Sequence, residues 1–376
     1  MDFSYSEEQE LLRNTVAKFL SDHYDLETFR KIARSESGWR ADYWKQFADL
    51  GLLGAAFPEE YGGLGGGALD TMIVMQEFGR ALVVEPYAPT VVVGGGFLRH
   101  GGSEAQKQEW LPRIAGGEAV LAFAFAESQG RYNFADLVTT AKKQGDAFVL
   151  NGQKAVVIAA PFADVLLVTA RTAGGQRDNR GISVFLVDRK AKGVQTRDYP
   201  TIDSLRASEV TFDQVEIPVA NLIGTLDDGL PLIERVTDEA IAAHCAEATG
   251  AMKVLLDATV EYSKTRKQFG VPIGKFQVLQ HRMVDMFMNY EQSVSIALMA
   301  TLKLDESETE RKKAVSAAKV QIGKAGRFIG QNAVQIYGGM GMTDELNVGH
   351  YFKRVTMIDT LYGNVDHHLK RYASLS

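Results

Sequence analysis

Residues 266–280 read Arg266-Lys267-Gln268-Phe269-Gly270-Val271-Pro272-Ile273-Gly274-Lys275-Phe276-Gln277-Val278-Leu279-Gln280. A guanidinium closes one helical pattern, a Gly/Pro turn follows, and the next helical pattern opens with amide side chains. Arg offers paired donors to phosphate oxygens, and a helix start adds oriented backbone N–H groups. These residues suit a seat for a pyrophosphate; an ordinary helix–turn–helix corner fits them equally well. A second cluster, Gln335-Ile336-Tyr337-Gly338-Gly339-Met340-Gly341, closes another helical pattern. Its bare backbone would let a flat or extended ligand approach, or would simply end the helix. A third, Tyr61 to Gly67, contains Gly63-x-Gly65-x-x-Ala68, the relaxed dinucleotide fingerprint. It follows the turn Phe57-Pro58-Glu59-Glu60 rather than a strand, so the Rossmann context fails and a loop between helices is expected.

Other reactive side chains offer little. The single cysteine, Cys245, excludes an intrachain disulfide and a cysteine metal site, and it reads as a small buried residue on a helix. His367 and His368 are adjacent on a helical pattern, where neighbouring side chains diverge by about 100°, so no shared metal ion is expected. The formal charge of −6, with no basic run, argues against nucleic acid or an anionic membrane as partner. No stretch is apolar enough to span a bilayer, and Ser6-Glu7-Glu8-Gln9 reads as a capping box rather than the start of a targeting segment. A cytoplasmic protein is expected.

The elements that must position these residues fall into three regions. From Ser6 to about Gly117 the period is helical, with Leu12, Val16, Phe19 and Leu20 on one stripe. From about Ala119 to Gly224 short strands are expected: Ala147 to Leu150 and Gln153 to Ile158 as a hairpin around Asn151-Gly152, then Val165 to Thr169, Ile182 to Val187 and Glu209 to Ile217. From about Asp228 the helical period returns, with Val254, Leu255, Ala258 and Tyr262 on one stripe and Phe276, Leu279, Met283, Phe287 and Tyr290 on another, both expected in the core. The layout is α+β, with boundaries at 1–118, 119–225 and 226–376.

Taken together, Arg-x-x-Phe-Gly-x-x-Ile-x-x-Phe-Gln and the later Gln-x-x-Gly-Gly-x-Gly resemble the acyl-CoA dehydrogenase family. So do Pro58-Glu59-Glu60-Tyr61-Gly62-Gly63, Leu150-Asn151-Gly152-Gln153-Lys154 and Val210-Thr211-Phe212-Asp213-Gln214-Val215-Glu216-Ile217-Pro218. The landmarks keep the family's order and spacing over nearly the whole chain. The resemblance implies an N-terminal helical domain, a middle β-domain (barrel or sandwich) and a C-terminal four-helix bundle. It implies flavin adenine dinucleotide (FAD) as cofactor, an acyl-CoA thioester oxidised to its trans-2-enoyl form, and an electron-transfer flavoprotein as redox partner. Carried over by residue, the cofactor's adenosine-diphosphate half would meet Arg266, Gln268, Phe269, Phe276, Gln277, Gln280, Gln335, Gly338 and Gly339.

The catalytic base does not carry over. The family's glutamate before a Gly-Thr pair corresponds to Tyr362 in Leu361-Tyr362-Gly363-Asn364, and a phenol with a pKa of about 10 is a poor base at neutral pH. The alternative helical location corresponds to Ala240, beside Ile241. Asp238, Glu239, Asp359 and Asp366 are nearby carboxylates, read mainly as solvated helix charges. Around the flavin ring the family's polar and indole groups are replaced, in Ala126-Glu127-Ser128, Arg131-Tyr132-Asn133 and Val156-Val157-Ile158. The expectation is an auxiliary chain of a heteromeric dehydrogenase, resembling the small subunits of bacterial enzymes for dicarboxylyl-CoA or steroid side-chain thioesters. Its partner would be a homologous chain with the glutamate intact. A self-sufficient homotetramer with an unusual base, and a binding or scaffold protein on the same fold, are the alternatives.

Overall fold

The computed structural model describes residues 5–375. In chain order the helices are α1 (Glu7–His23), α2 (Leu26–Arg34), α3 (Ala41–Asp49), α4 (Ala68–Ala81), α5 (Gly95–Gly101) and α6 (Glu104–Ala115). Strands follow: β1 (Leu121–Ala124), β2 (Thr140–Gln144), β3 (Ala147–Ile158), β4 (Val165–Arg171), β5 (Ile182–Asp188), β6 (Val194–Pro200), β7 (Arg206–Pro218) and β8 (Leu222–Ile223). Then come α7 (Leu230–Thr265), β9 (Lys267–Gln268), β10 (Val271–Pro272), α8 (Gln277–Leu302), α9 (Glu308–Tyr337), α10 (Asn347–Thr360) and α11 (Val365–Ala373). Two compact units emerge: Met1–Lys31 with Ala68–Val83 and Ile241–Ser376, and Ile32–Gly67 with Val84–Ala240.

In the first unit, α1 starts at the expected capping box: Ser6 Oγ accepts from Gln9 N at 3.2 Å, and the Gln9 side chain accepts from Ser6 N at 3.1 Å. Glycines set how closely the helices approach. On α4 and α7, a Cβ at Gly79 would lie 1.9 Å from the Glu247 carbonyl, and one at Gly250 would lie 1.9 Å from that of Gln76. On α9, Gly323, Gly326 and Gly330 form a bare stripe that receives Asp359, Val355 and Phe352 of α10. This close seating of α10 brings its C-terminal end onto Lys319 of α9.

The second unit is built on an eight-stranded sheet in the order β6-β7-β3-β2-β4-β5-β8, with β1 pairing parallel to β4. Val165 to Arg171 of β4 and Ile182 to Val187 of β5 are buried, as their largely apolar runs require. The expected hairpin at Asn151-Gly152 is corrected. β3 runs unbroken through these residues, and the register against β7 shifts between Leu150 and Gly152, which makes the pair a bulge. Gly152 sits at φ 148°, where a Cβ would collide with Thr139, while the Asn151 side chain accepts from Gln214 N at 2.9 Å. A partner strand on that side favours an inserted residue over a reversal. The reversal comes earlier, at Gly145, between β2 and β3.

The loop expected at Tyr61 to Gly67 is present, with Gly62 at φ 80° and Gly63 packed so closely on the Phe57 carbonyl that no side chain fits. The second C-terminal stripe departs from expectation. Tyr290 is buried, but Phe287 is 51% exposed, because the inward positions of α8 include Met286, Ser293 and Ala297 instead.

Candidate functional site

Lys319, buried on α9, organises the turn after α10. Its ammonium donates to the carbonyls of Ile358 at 2.6 Å, Asp359 at 3.2 Å, Leu361 at 2.6 Å and Gly363 at 2.9 Å. Carbonyls at a helix C-terminus lack intrahelical partners and carry partial negative charge, so a cation there satisfies both needs. Burial lowers the Lys319 pKa to about 8. His368 braces the same turn: Nε2 lies 3.2 Å from the Tyr362 carbonyl and Nδ1 3.3 Å from Ser316 Oγ. A carbonyl only accepts, so Nε2 carries the proton and Nδ1 takes the serine hydroxyl. Burial holds this imidazole neutral, with its pKa lowered to about 2. Tyr362, which the family resemblance sets at the base position, has φ 55°, and burial raises its phenol well above the ordinary tyrosine value. Tyr362 therefore stays protonated at neutral pH, with no phenolate available to take a proton.

Beside it on α7 lies a buried network absent from the sequence reading. Glu247 accepts from Arg354 Nε at 2.6 Å and pairs with His244 Nδ1 at 2.8 Å. Burial works to raise its pKa, but Arg354 and His244 outweigh it and hold the carboxyl at about 2. The His244 ring lies 6.2 Å from that of Tyr362, and His244 follows Ala240 by one helical turn. Sequence spacing gave no sign of this, because Arg354 stands 107 residues away.

The nearby carboxylates are mostly not solvated. Asp366 is exposed, but Asp238, Glu239 and Asp359 are buried. Glu239 meets Arg99 at 2.8 Å, His100 at 2.6 Å and Arg235 at 3.0 Å. Against the cost of burial, these cations hold it at about 2. Asp359 pairs with Arg327 at 3.4 Å. Cys245 is buried and inert, its thiol pushed up to about 12 by burial. Among the described residues no group of His, Cys, Asp and Glu is arranged to hold a metal ion.

The nine candidate cofactor residues cluster at one end of the helical unit. Lys267–Gln268 and Val271–Pro272 pair as a two-residue hairpin whose turn residues, Phe269 and Gly270, sit at φ 53° and 82°. That turn leaves Phe269 92% exposed, with its ring 6.1 Å from that of Phe276. α8 then starts at Gln277 behind Phe276, which supplies no side-chain cap; Leu279 N donates to the Phe276 carbonyl at 2.9 Å, which leaves the N–H groups of Gln277 and Val278 as the uncapped first-turn donors. Tyr262 of α7 and Tyr337 of α9 stack with centroids 4.0 Å apart, and the Tyr337 hydroxyl donates to the Ala258 carbonyl at 3.0 Å. The stack places Arg266, four residues beyond Tyr262, at the same end as Gly338, which follows Tyr337. The side chains of Arg266, Gln268, Gln277 and Gln335 are exposed and make no hydrogen bond among the described residues; Gln280 donates to the Gly274 carbonyl at 2.8 Å. A Cβ at Gly270, Gly338 or Gly339 would meet nothing within 4 Å.

In the sheet unit, Glu127 and Lys154 form a fully buried ion pair at 2.6 Å. Glu127 also accepts from Val138 N at 2.7 Å and Gln129 Nε2 at 2.8 Å, and Lys154 donates to Thr169 Oγ1 at 3.1 Å. The pair fixes the loop after β1, where Ala126 and Ser128 stand, against β3. β3 shifts register between Lys154 and Val157, and the bulge turns Val156 outward, 46% exposed at φ 51°. A β-branched side chain in the left-handed region is strained. Near it Phe125 packs on Phe123 and Phe134, at 4.9 and 5.4 Å. Along this stretch Ala126 and Val156 present hydrocarbon.

Comparison with known proteins agrees with this arrangement. Residues 6–118, 122–215 and 227–374 match the N-terminal, middle and C-terminal domains of acyl-CoA dehydrogenase. The mitochondrial isovaleryl-CoA dehydrogenase of Pongo abelii is 30% identical over 93% of this chain and 84% of its own length. Among solved structures, the ChsE4–ChsE5 complex from Mycobacterium tuberculosis superposes with a TM-score of 0.90 at 25% identity, covering 100% of this chain and 98% of that one. Butyryl-CoA dehydrogenase from Megasphaera elsdenii superposes with a TM-score of 0.92 at 25% identity, covering 100% and 99%. No helix among the described residues is long and apolar enough to cross a membrane. The chain belongs to the acyl-CoA dehydrogenase family of FAD-dependent oxidoreductases, which act on CH–CH bonds.

Proposed function

We propose that this chain is the auxiliary subunit of a two-component acyl-CoA dehydrogenase. In this reading Arg266, Gln268, Phe269, Phe276, Gln277, Gln280, Gln335, Gly338 and Gly339 hold the adenosine-diphosphate half of FAD in a homologous partner. That partner carries the catalytic glutamate. FAD, when bound, would supply the hydride acceptor for oxidation of an acyl-CoA thioester to its trans-2-enoyl form, with an electron-transfer flavoprotein as the redox partner. The observation that carries the reading is Tyr362: at the base position stands a phenol that burial keeps protonated, in a turn fixed by Lys319 and His368. The open surface around Arg266 and Gly338, with the side chains of Arg266, Gln268, Gln277 and Gln335 exposed, suits the extended half of FAD. Val156 and Ala126 offer no polar group to a ring.

One observation favours a second reading, a self-sufficient enzyme. The His244–Glu247 pair has the form of a general base with its orienting carboxylate, and it lies beside Tyr362. Purification decides between them. The auxiliary reading expects the chain alone to be colourless or insoluble, and the coexpressed complex to be yellow and to bleach when an acyl-CoA is added. A chain that is yellow and reduced by acyl-CoA on its own, with reduction lost in His244→Gln, would establish the second reading. A colourless, stable homomer that takes no flavin in any company would leave a scaffold.

A further inference from the structure

The helical unit holds a cavity of about 340 Å³ between α1, α2, α4 and α10. Its apolar wall includes Leu20, Phe29 and Leu82, and its polar side includes Glu77, Arg80 and Asn347. Glu77 is the anomaly. Of the other buried glutamates, Glu85 accepts from Arg40 N at 3.2 Å, and three are better served: Glu127, Glu239 and Glu247 each accept two or more hydrogen bonds. Glu77 is only 8% exposed yet accepts none among the described residues, and its ion pair with Arg80 Nε is long, at 3.4 Å. Arg80 Nε is itself buried without a hydrogen-bond partner. Burial raises the Glu77 pKa, where the other three are lowered. Buried polar groups in folded proteins are nearly always satisfied, so a loosely matched carboxyl and guanidinium facing one cavity ask for a ligand.

The arrangement selects its chemistry. A bare cation would match Glu77 and leave Arg80 unmatched; a bare anion would do the reverse. A molecule whose ammonium and carboxylate sit one carbon apart matches both. Asn347 opens α10, and Leu346 before it provides no side-chain cap, so first-turn N–H groups lie at the cavity as further donors to a carboxylate. Asp25 on the rim is already engaged, accepting from Thr28 N at 2.7 Å, and the Tyr351 hydroxyl donates to the Arg80 carbonyl. We propose that this cavity binds a free apolar α-amino acid, with its ammonium on Glu77, its carboxylate between Arg80 and the start of α10, and its side chain against Leu20, Phe29 and Leu82.

The test is calorimetric titration of the full chain, alone or in its complex, with L-leucine and L-phenylalanine. The same titration with isoamylamine and with 4-methylpentanoate, leucine without its carboxylate and without its ammonium, separates the two charges. One amino acid should bind per chain, with the amine and the acid each at least about tenfold weaker, the worth of one charge-assisted hydrogen bond. Glu77→Gln should fold, since it removes an ill-matched buried charge, and should weaken L-leucine about tenfold or more. Ala17→Leu, which narrows the cavity without touching its charges, should weaken binding as well. No heat with either amino acid, equal affinity in Glu77→Gln, or an amine that binds as tightly as L-leucine would each overturn the assignment.

Discussion

The Lys319 ammonium lies directly under Tyr362, donating to the carbonyls of the residues on either side of it, Leu361 at 2.6 Å and Gly363 at 2.9 Å. Tyr362 is thus carried by a turn built around a buried cation. The glycine stripe of α9 makes this possible, because Gly323 leaves room for Asp359 and so for the end of α10. The rigidity of the turn therefore owes more to Lys319 than to Tyr362.

Replacing Lys319 with Met should strand four carbonyls around a hydrocarbon and cost roughly 3 kcal/mol, the range for removing one partner from a buried charged network. Urea unfolding followed by circular dichroism measures the loss, and amide exchange over residues 358–363 should speed up more than elsewhere. A loss below about 1 kcal/mol, in the range of ordinary surface substitutions, would show that water replaces the ammonium without penalty.

Acid should destabilise the chain in two stages. His368 ionises near the ordinary histidine value of 6.5 when unfolded but is held at about 2 when folded, so below pH 6.5 the unfolded chain binds the extra proton. His367, also lowered by burial, adds in the same direction. Glu239 and Glu247 are held at about 2 against the ordinary glutamate value of 4.5, so the stability they contribute is complete above 4.5 and lost as pH falls toward 2. Each group adds a slope of up to ~1.4 kcal/mol per pH unit. Unfolding free energy measured from pH 8 to 4 should fall first between 6.5 and 4.5, and His368→Gln should flatten most of that segment. An unchanged slope in the variant would remove His368 from the account.

Patterning made most of the fold legible and little of the site. Ser6–Gln9, the runs of β4 and β5, and the glycine loop before α4 are local signals, and they led to the right elements. Asn151-Gly152 misled because a dipeptide cannot reveal that β7 lies alongside and turns a reversal into a bulge. Phe287 misled because the helical period identifies a stripe without saying what covers it. The His244–Glu247–Arg354 network and the Lys319 cage were invisible for a plainer reason: their members meet only across folded distance, and each reads alone as an unremarkable helix residue.

Val156 occupies a backbone conformation that suits glycine, in a bulge that still aims outward as though a larger group stood there. Val156→Gly should therefore raise stability by about 1 kcal/mol, the relief of left-handed strain less the added entropy of the unfolded chain. Thermal and urea unfolding would both register it. A destabilised variant would mean that contacts of the isopropyl group outweigh the strain.

The apolar side chains left exposed at the helical unit's candidate cofactor end and along α8 bear on partnership. Phe269 is almost wholly exposed, Phe287 half so, and Val284 and Met288 stand beside Phe287 on the same outward face. Exposed apolar groups gathered in this way are costly to solubility unless another chain covers them. If the auxiliary reading holds, Phe287→Glu should fold with little change in stability, because half of the residue already faces outward, yet fail to copurify with the glutamate-bearing partner. Phe269→Asp should copurify but return a complex with less bound flavin, since Phe269 belongs to the hairpin assigned to the cofactor rather than to the α8 face. Copurification yield and the ratio of flavin to protein absorbance distinguish the two outcomes. If both variants assembled with full flavin, neither surface would serve a partner, and the division of labour between two chains would lose its structural footing.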